Sequence, residues 1–184
     1  MAMNEADKKT LFKIARRAIA LRLGLPDPGV VNLESAGLQR RAGAFVTLHR
    51  GGALRGCIGV FTSNGPLHET VAEMALSAAF GDPRFTKLAA REFSEIDIEI
   101  SVLTPLKRIS DVSEIEVGRH GIYIIKGFNR GVLLPQVASE QGWDRDAFLD
   151  HTCMKAGLYA GCWRENDVEI YTFEAEILHE SKVT

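Results

Sequence analysis

Leu54-Arg55-Gly56-Cys57-Ile58-Gly59-Val60-Phe61 is a strand-like apolar run in which glycine stands immediately before a cysteine and again two residues after it. Glycine inside a strand pattern marks a bulge, a bend, or the close approach of another backbone or a ligand. Upstream, Ala44-Phe45-Val46-Thr47-Leu48-His49 is rich in strand formers and close to alternating, and Arg50-Gly51-Gly52 follows it as a tight-turn signal. The two runs therefore read as an antiparallel hairpin, with Cys57 on the returning strand near a strand end. Downstream, Thr62-Ser63-Asn64-Gly65-Pro66 is a turn, and apolar residues from about Leu67 to Phe80 recur at helical spacing. Its small residues Ala72, Ala75, Ser77, Ala78 and Ala79 suit close packing of that helix on the hairpin sheet.

The rest of the chain repeats this mixture. Asn4 is a helix cap, and Leu11, Ile14, Ala15, Ala18 and Ile19 fall on one helical face. Lys8, Lys9, Lys13, Arg16 and Arg17 cover the remainder and read as a solvated face, with Pro26-Asp27-Pro28-Gly29 as the helix stop. Ile96 to Val102 alternates cleanly, isoleucines and valine on one side and Asp97, Glu99 and Ser101 on the other. Ile122-Tyr123-Ile124-Ile125 and Val132-Leu133-Leu134 form a second hairpin around the turn Gly127–Gly131. Pro135 opens a short helix closed by Gly142, and Asp144 caps another that stops at Gly157. Val168 to Leu178 reads as one last strand, with Tyr171, Phe173, Ala175 and Ile177 on its apolar side. Strands that arrive in hairpins, without regular β-α-β alternation, predict an α+β fold: a mainly antiparallel sheet flanked by helices.

Composition narrows the function classes. The chain has 184 residues and a formal net charge of −2, with hydrophobic and charged fractions of 46% and 25%, the profile of an ordinary globular protein. A slightly acidic total without aromatic–basic interleaving argues against nucleic acid. No apolar run approaches the length of a membrane span. The start Met1-Ala2-Met3-Asn4-Glu5 lacks a signal-peptide pattern, so a cytoplasmic location is expected. Cys57, Cys153 and Cys162 are an odd number without a Cys-x-x-Cys pair, so all three are expected to be free thiols. A zinc site from His151, Cys153 and Cys162 is not expected, because residues two apart on a helix point in different directions.

Cys57 has two readings. It is a buried space-filler, as free cysteines often are, or a reactive thiol made accessible by Gly56 and Gly59. Arg55 is the local cation that would favour its thiolate, provided the strand stays regular so that the two share a face. Arg84 is a surface charge, an ion-pair partner or an anion contact. Glu99 lies on a polar strand face that is either solvated or lines a cleft. His120, among glycines in Gly118-Arg119-His120-Gly121, is either a turn histidine bonded to backbone or a general base.

The hexapeptide Leu54-Arg55-Gly56-Cys57-Ile58-Gly59 resembles the signature of the AMMECR domain family. The resemblance extends through Gly43-Ala44-Phe45-Val46-Thr47-Leu48, Asp82-Pro83-Arg84-Phe85, Ile98-Glu99-Ile100-Ser101-Val102-Leu103, Gly121-Ile122, Leu133-Leu134-Pro135-Gln136-Val137-Ala138 and Gly142-Trp143-Asp144. It covers nearly the whole chain and is similar to the prokaryotic branch, protein A of the AmmeMemoRadiSam system. It departs at Thr86-Lys87 and Leu158-Tyr159-Ala160, where prolines are expected. The resemblance implies one domain over residues 1–184, with a larger and a smaller lobe and a cleft near residues 54–61. It also implies a Memo-like protein and a radical SAM protein as candidate partners, and it carries no reaction with it.

Three functional expectations follow. In the first, Cys57 is a nucleophile or covalent anchor, Arg55 binds an anionic group, and His120 or Glu99 is the acid/base. In the second, a non-catalytic module binds an anionic small molecule through Arg55, Arg84 and Arg130, with Gly56 and Gly59 exposing backbone N–H groups. In the third, the chain is an adaptor between the two partner proteins.

Overall fold

The computed structural model describes residues 3–182, so Met1 and Ala2 of the quoted N-terminus lie outside the described residues. The chain forms two units, one made of residues up to Leu103 together with Glu176 onward, the other of the intervening Thr104–Ala175. The first contains α1 (Glu5–Arg22), α2 (Ala36–Gln39), β1 (Ala44–Arg50), β2 (Ala53–Val60), α3 (Leu67–Phe80) and β3 (Ile96–Leu103). The second contains β4 (Lys107–Ile109), β5 (Gly121–Lys126), β6 (Asn129–Leu133), α4 (Pro135–Gln141), α5 (Arg145–Lys155) and β7 (Glu169–Phe173), after which β8 (Ala175–His179) rejoins the first. The sheet orders are β2-β1-β3-β8 and β4-β7-β5-β6. The pairs β1–β2, β1–β3, β4–β7, β5–β6 and β5–β7 are antiparallel, so the fold is α+β. Among the described residues no helix is long and apolar enough to cross a membrane.

The first sheet follows from alternation. Ala44, Val46 and Leu48 of β1 and Ile98, Ile100 and Val102 of β3 are buried on one face, where Val71, Met74, Ala75 and Ala78 of α3 and Leu11, Ala15 and Ile19 of α1 meet them. The hairpin turn is Gly51-Gly52, with φ of 58° and 80°, the positive pair that a two-residue turn between twisted strands requires. Gly56 faces α3 so closely that a Cβ there would lie 2.2 Å from the carbonyl oxygen of Ala78. Gly59 lies under the ring of its cross-strand partner Phe45, where a Cβ would meet ring carbons at 2.2 Å. Packing thus accounts for both glycines of the hexapeptide. Ser101, expected on the polar side of β3, is buried.

Several expectations need correction. α1 ends at Leu23 and Gly24, whose φ is 71°, before the Pro26–Gly29 stop is reached. Its basic residues are not simply solvated: Arg16 bonds Glu180 and the carbonyls of Phe93 and Ile96. The second hairpin turns at Gly127-Phe128 alone, because Lys126 pairs with Asn129, so β6 starts before the expected Val132. The predicted single strand from Val168 to Leu178 breaks at Glu174, whose N–H and C=O both bond Thr104. The break changes the buried face: Ile170, Thr172, Phe173 and Leu178 are inside, while Ile177 is exposed.

The cysteine expectation is also overturned. Cys153 on α5 and Cys162 form a disulfide, Cα–Cα 6.1 Å, and both are fully buried. The backbone makes this possible by reversing at Gly157 and Gly161, φ 75° and 87°, which returns Cys162 to the helix it has just left. Parity of the count cannot reveal such a local closure; it shows only that one cysteine is left over, and that one is Cys57. Denatured, unreduced protein is therefore expected to titrate one thiol, and reduced protein three. Gly56→Ala is expected to lower stability by about 2 kcal/mol or more, since a helix backbone rather than a flexible side chain must move aside; urea unfolding measures this.

Candidate functional site

Cys57 lies on β2, the edge strand of its sheet, on the face turned away from α3. It is partly exposed and is the free cysteine of the described residues. Across the ladder stands Thr47, whose Oγ1 donates to the Cys57 sulfur at 3.2 Å. An edge strand leaves backbone groups pointing outward without partners. At Cys57 both are met by the segment that leaves α3. The Cys57 N–H donates to Asp82 Oδ2 at 2.9 Å, and the Cys57 carbonyl accepts from Arg84 Nη2 at 3.1 Å.

Asp82 is the hinge of this arrangement. Its side chain is only 1% exposed, yet it accepts from the Cys57 N–H, the Arg84 N–H at 3.0 Å, Arg84 Nε at 2.9 Å and Arg84 Nη2 at 2.6 Å. The guanidinium bonds hold its carboxyl far below the usual carboxylate range, with the two backbone N–H bonds adding to them against desolvation. Asp82 in turn raises the pKa of Arg84, with a smaller contribution from Cys57. Arg84 is 54% exposed beyond this fork. Of its three readings, the ion pair holds, and the partner is two residues away. The sequence contained the signal, an Asp just after a helix-ending glycine with a residue two positions on to receive its Asx turn. Nothing in one dimension places Asp82 beside Cys57, 25 residues away.

The structure turns Arg55 elsewhere. The register of the hairpin slips between Leu48 and His49, which pair with Gly56 and Leu54, so Arg55 is the extra residue of a bulge. The regular strand that a shared face with Cys57 required is absent. Arg55 instead forks onto Glu92, Nε to Oε1 at 2.9 Å and Nη2 to Oε2 at 3.1 Å, and Arg50 reaches the same carboxylate at 3.1 Å. Arg55 first, then the Ala89 N–H, lowers the Glu92 pKa from 4.5 to about 2. The cation at Cys57 is Arg84.

The remaining candidates are dispersed. Glu99 on β3 pairs with Thr47, on the same sheet face as Cys57 but two strands away, about 10 Å between backbones. Its carboxylate faces His179 Nδ1 at 3.2 Å, so it is not placed to take the thiol proton directly. His179, a lone histidine at a strand end, had no sequence signal. His120 and Arg130 belong to the second unit. His120 Nδ1 accepts from the Glu116 N–H at 3.1 Å, the arrangement of a turn histidine, and Arg130 is exposed on β6. His151, from the zinc alternative, stacks on Trp143 at 3.8 Å.

The depressed carboxylates make stability pH-dependent. A carboxyl whose folded pKa is lowered contributes fully above its unfolded value and loses that contribution as pH falls toward the folded one. For Glu92 the window runs from 4.5 down to about 2, and Asp82 acts in the same direction. The urea midpoint is expected to fall steeply as pH drops through this window. Glu92→Gln should flatten part of that fall and cost about 3 kcal/mol at pH 7, since it leaves the Arg55 charge, 12% exposed, without its partner.

Comparison with known proteins gives the chain's family and fold relatives. The description of the AMMECR1 family matches residues 12–178. A protein of Methanothermobacter thermautotrophicus is 44% identical, over 97% of this chain and 96% of its own length. One of Methanopyrus kandleri is 45% identical, over 94% and 87%. The crystal structure of an uncharacterized protein from Pyrococcus horikoshii superposes with a TM-score of 0.78 at 41% identity, covering 92% of this chain and 89% of that one. Matched over residues 12–178 and 44% identical to a relative over nearly its full length, the chain belongs to the AMMECR1 family.

Proposed function

We propose that Cys57 is the nucleophile or covalent anchor of a site on the face of the first sheet turned away from α3, and that the site takes an anionic small molecule. The observation that carries this reading is the treatment of one residue by its surroundings. The Cys57 backbone is pinned on both polar groups by Asp82 and Arg84, while the residue stays partly exposed and its sulfur has a hydroxyl donor at 3.2 Å. A structural cysteine needs neither the exposure nor the donor. A reactive one gains from both, because a hydrogen bond to the thiolate favours the charged form and access lets a substrate reach it.

The roles divide as follows. Thr47 Oγ1 donates to the sulfur as negative charge develops on it. Arg84, held by Asp82, presents its exposed edge to the ligand's anionic group. The thiol proton leaves to water, and Sγ then adds to an electrophilic carbonyl carbon of that ligand, the C=O π pair moving onto the carbonyl oxygen, which takes a proton from water. Glu99 and His179, farther along the same face, are within reach of the distal end of an elongated ligand. A non-catalytic role is the second reading, favoured by one observation: Asp82 offsets much of the charge by which Arg84 would support a thiolate, which leaves Cys57 as a packing residue.

Site-resolved alkylation decides between them. Iodoacetate and iodoacetamide differ in charge but attack the same sulfur. In the native protein Cys57 is expected to react faster than in the denatured chain, with the anionic reagent gaining more than the neutral one. Thr47→Val should slow both reagents several-fold, and Arg84→Met should remove the preference for iodoacetate. Slower reaction in the native state with both reagents overturns the nucleophile and leaves the non-catalytic role.

A further inference from the structure

We propose a second ligand site in the first unit, away from Cys57, that takes a small anion with an apolar body. It is a cavity of about 590 Å³ between α1 and the segment Pro28–Val31. That volume is within the range of small-molecule sites, roughly 300–1,000 Å³. Phe12, Val30 and Val31 make its apolar wall, and Val30 stands 87% exposed beside it. A lone exposed valine needs no explanation; one at the mouth of a cavity, next to a second valine and a phenylalanine, is surface that a ligand could cover.

The wall is held in place. Arg17 forks onto Asp27, Nη2 to Oδ2 at 2.7 Å and Nε to Oδ1 at 2.8 Å, and Asp27 also accepts from the Gly29 N–H at 2.9 Å. This ties the segment to the helix and fixes the width of the opening. At the floor, Arg16 and Glu180 bond each other, and Glu180 further accepts from the Ile98 N–H at 3.1 Å. Both charges at the floor are therefore already matched.

What remains is the rim. Lys9 and Lys13 both line the cavity and lie one helical turn apart on α1. Their neighbours on the basic face are committed: Lys8 to Glu5 and Glu176, Arg16 to Glu180, Arg17 to Asp27. Among the described residues Lys9 and Lys13 have no acidic partner. With the Arg17–Asp27 and Arg16–Glu180 pairs each neutral, the mouth carries two uncompensated positive charges over an apolar wall. A carboxylate with a hydrocarbon or aromatic body matches both parts, its charge at the lysines and its body against Phe12, Val30 and Val31. A neutral ligand would leave the lysines unused, and a cation would be repelled.

Three probes, each with a straight eight-carbon chain, separate these terms: octanoate, octanol and octyltrimethylammonium. Calorimetry and amide chemical shifts of the full chain should show saturable one-to-one binding of octanoate, with shifts centred on residues 9–16 and 28–31. Octanol should bind more weakly and the ammonium not at all. Lys9→Glu with Lys13→Glu should weaken octanoate about tenfold, as expected for surface charges partly screened by water. Val30→Asp should weaken it as well, and both sets of variants are at exposed positions, so thermal midpoints should stay near that of the parent. Absence of saturable octanoate binding overturns the site. So does equal binding of all three probes, or shifts that map elsewhere, or affinity unchanged in both variants.

Discussion

Helix α3 lies directly on strand β2, and it can do so only because position 56 has no side chain. The carbonyl oxygen of Ala78 sits 2.2 Å from where the Cβ would be. This contact sets the depth at which the helix docks, and with it the place where the chain emerges at Gly81-Asp82. From there Asp82 reaches back to the N–H of Cys57, one residue along from the glycine that allowed the approach. The close packing and the site are thus consequences of the same missing side chain.

The second unit solves the same problem in the same way. Gly131 on β6 faces α5, where a Cβ would lie 2.4 Å from the Ala156 nitrogen and 2.5 Å from the Thr152 carbonyl oxygen. Cross-strand glycine–phenylalanine pairs recur too, Gly59 under Phe45 in one sheet and Gly121 under Phe173 in the other. In each pair the ring covers backbone that glycine leaves bare, supplying apolar burial at a position that would otherwise weaken its strand.

Charge pairing then divides the labour around the hexapeptide. The bulge at Arg55 swings a guanidinium off the ladder and into a nearly buried pair with Glu92, which anchors the short turn Ala90–Glu92 against the hairpin. Arg84 takes the place at Cys57 that simple strand alternation assigns to Arg55. Removing one partner of a buried pair is more damaging than its net contribution suggests, because the remaining charge is left desolvated. Both pairs therefore act chiefly as constraints on geometry: one keeps the bulge, the other caps the edge strand.

The sequence by itself determined the fold class and the elements around the hexapeptide, β1, β2, α3 and β3. Alternation in β1 and β3, glycine pairs at the turn, and helical spacing from Leu67 to Phe80 are local properties, and local sterics and solvent exposure suffice to read them. Cys57, Arg84 and Glu99 were legible as candidates for the same reason: their chemical types stand out in their segments. What only the tertiary structure decided was which groups meet. The bulge that turns Arg55 away is one extra residue, invisible to a period-two pattern. The Cys153–Cys162 bridge depends on a reversal at two glycines, and the break at Glu174 on a bond to Thr104, 70 residues away. Asp82 became central because a helix that ends at Phe80 delivers it to an edge strand 25 residues back in the chain. Such meetings are set by docking depth and strand register, quantities that depend on the whole packed core rather than on any stretch of it.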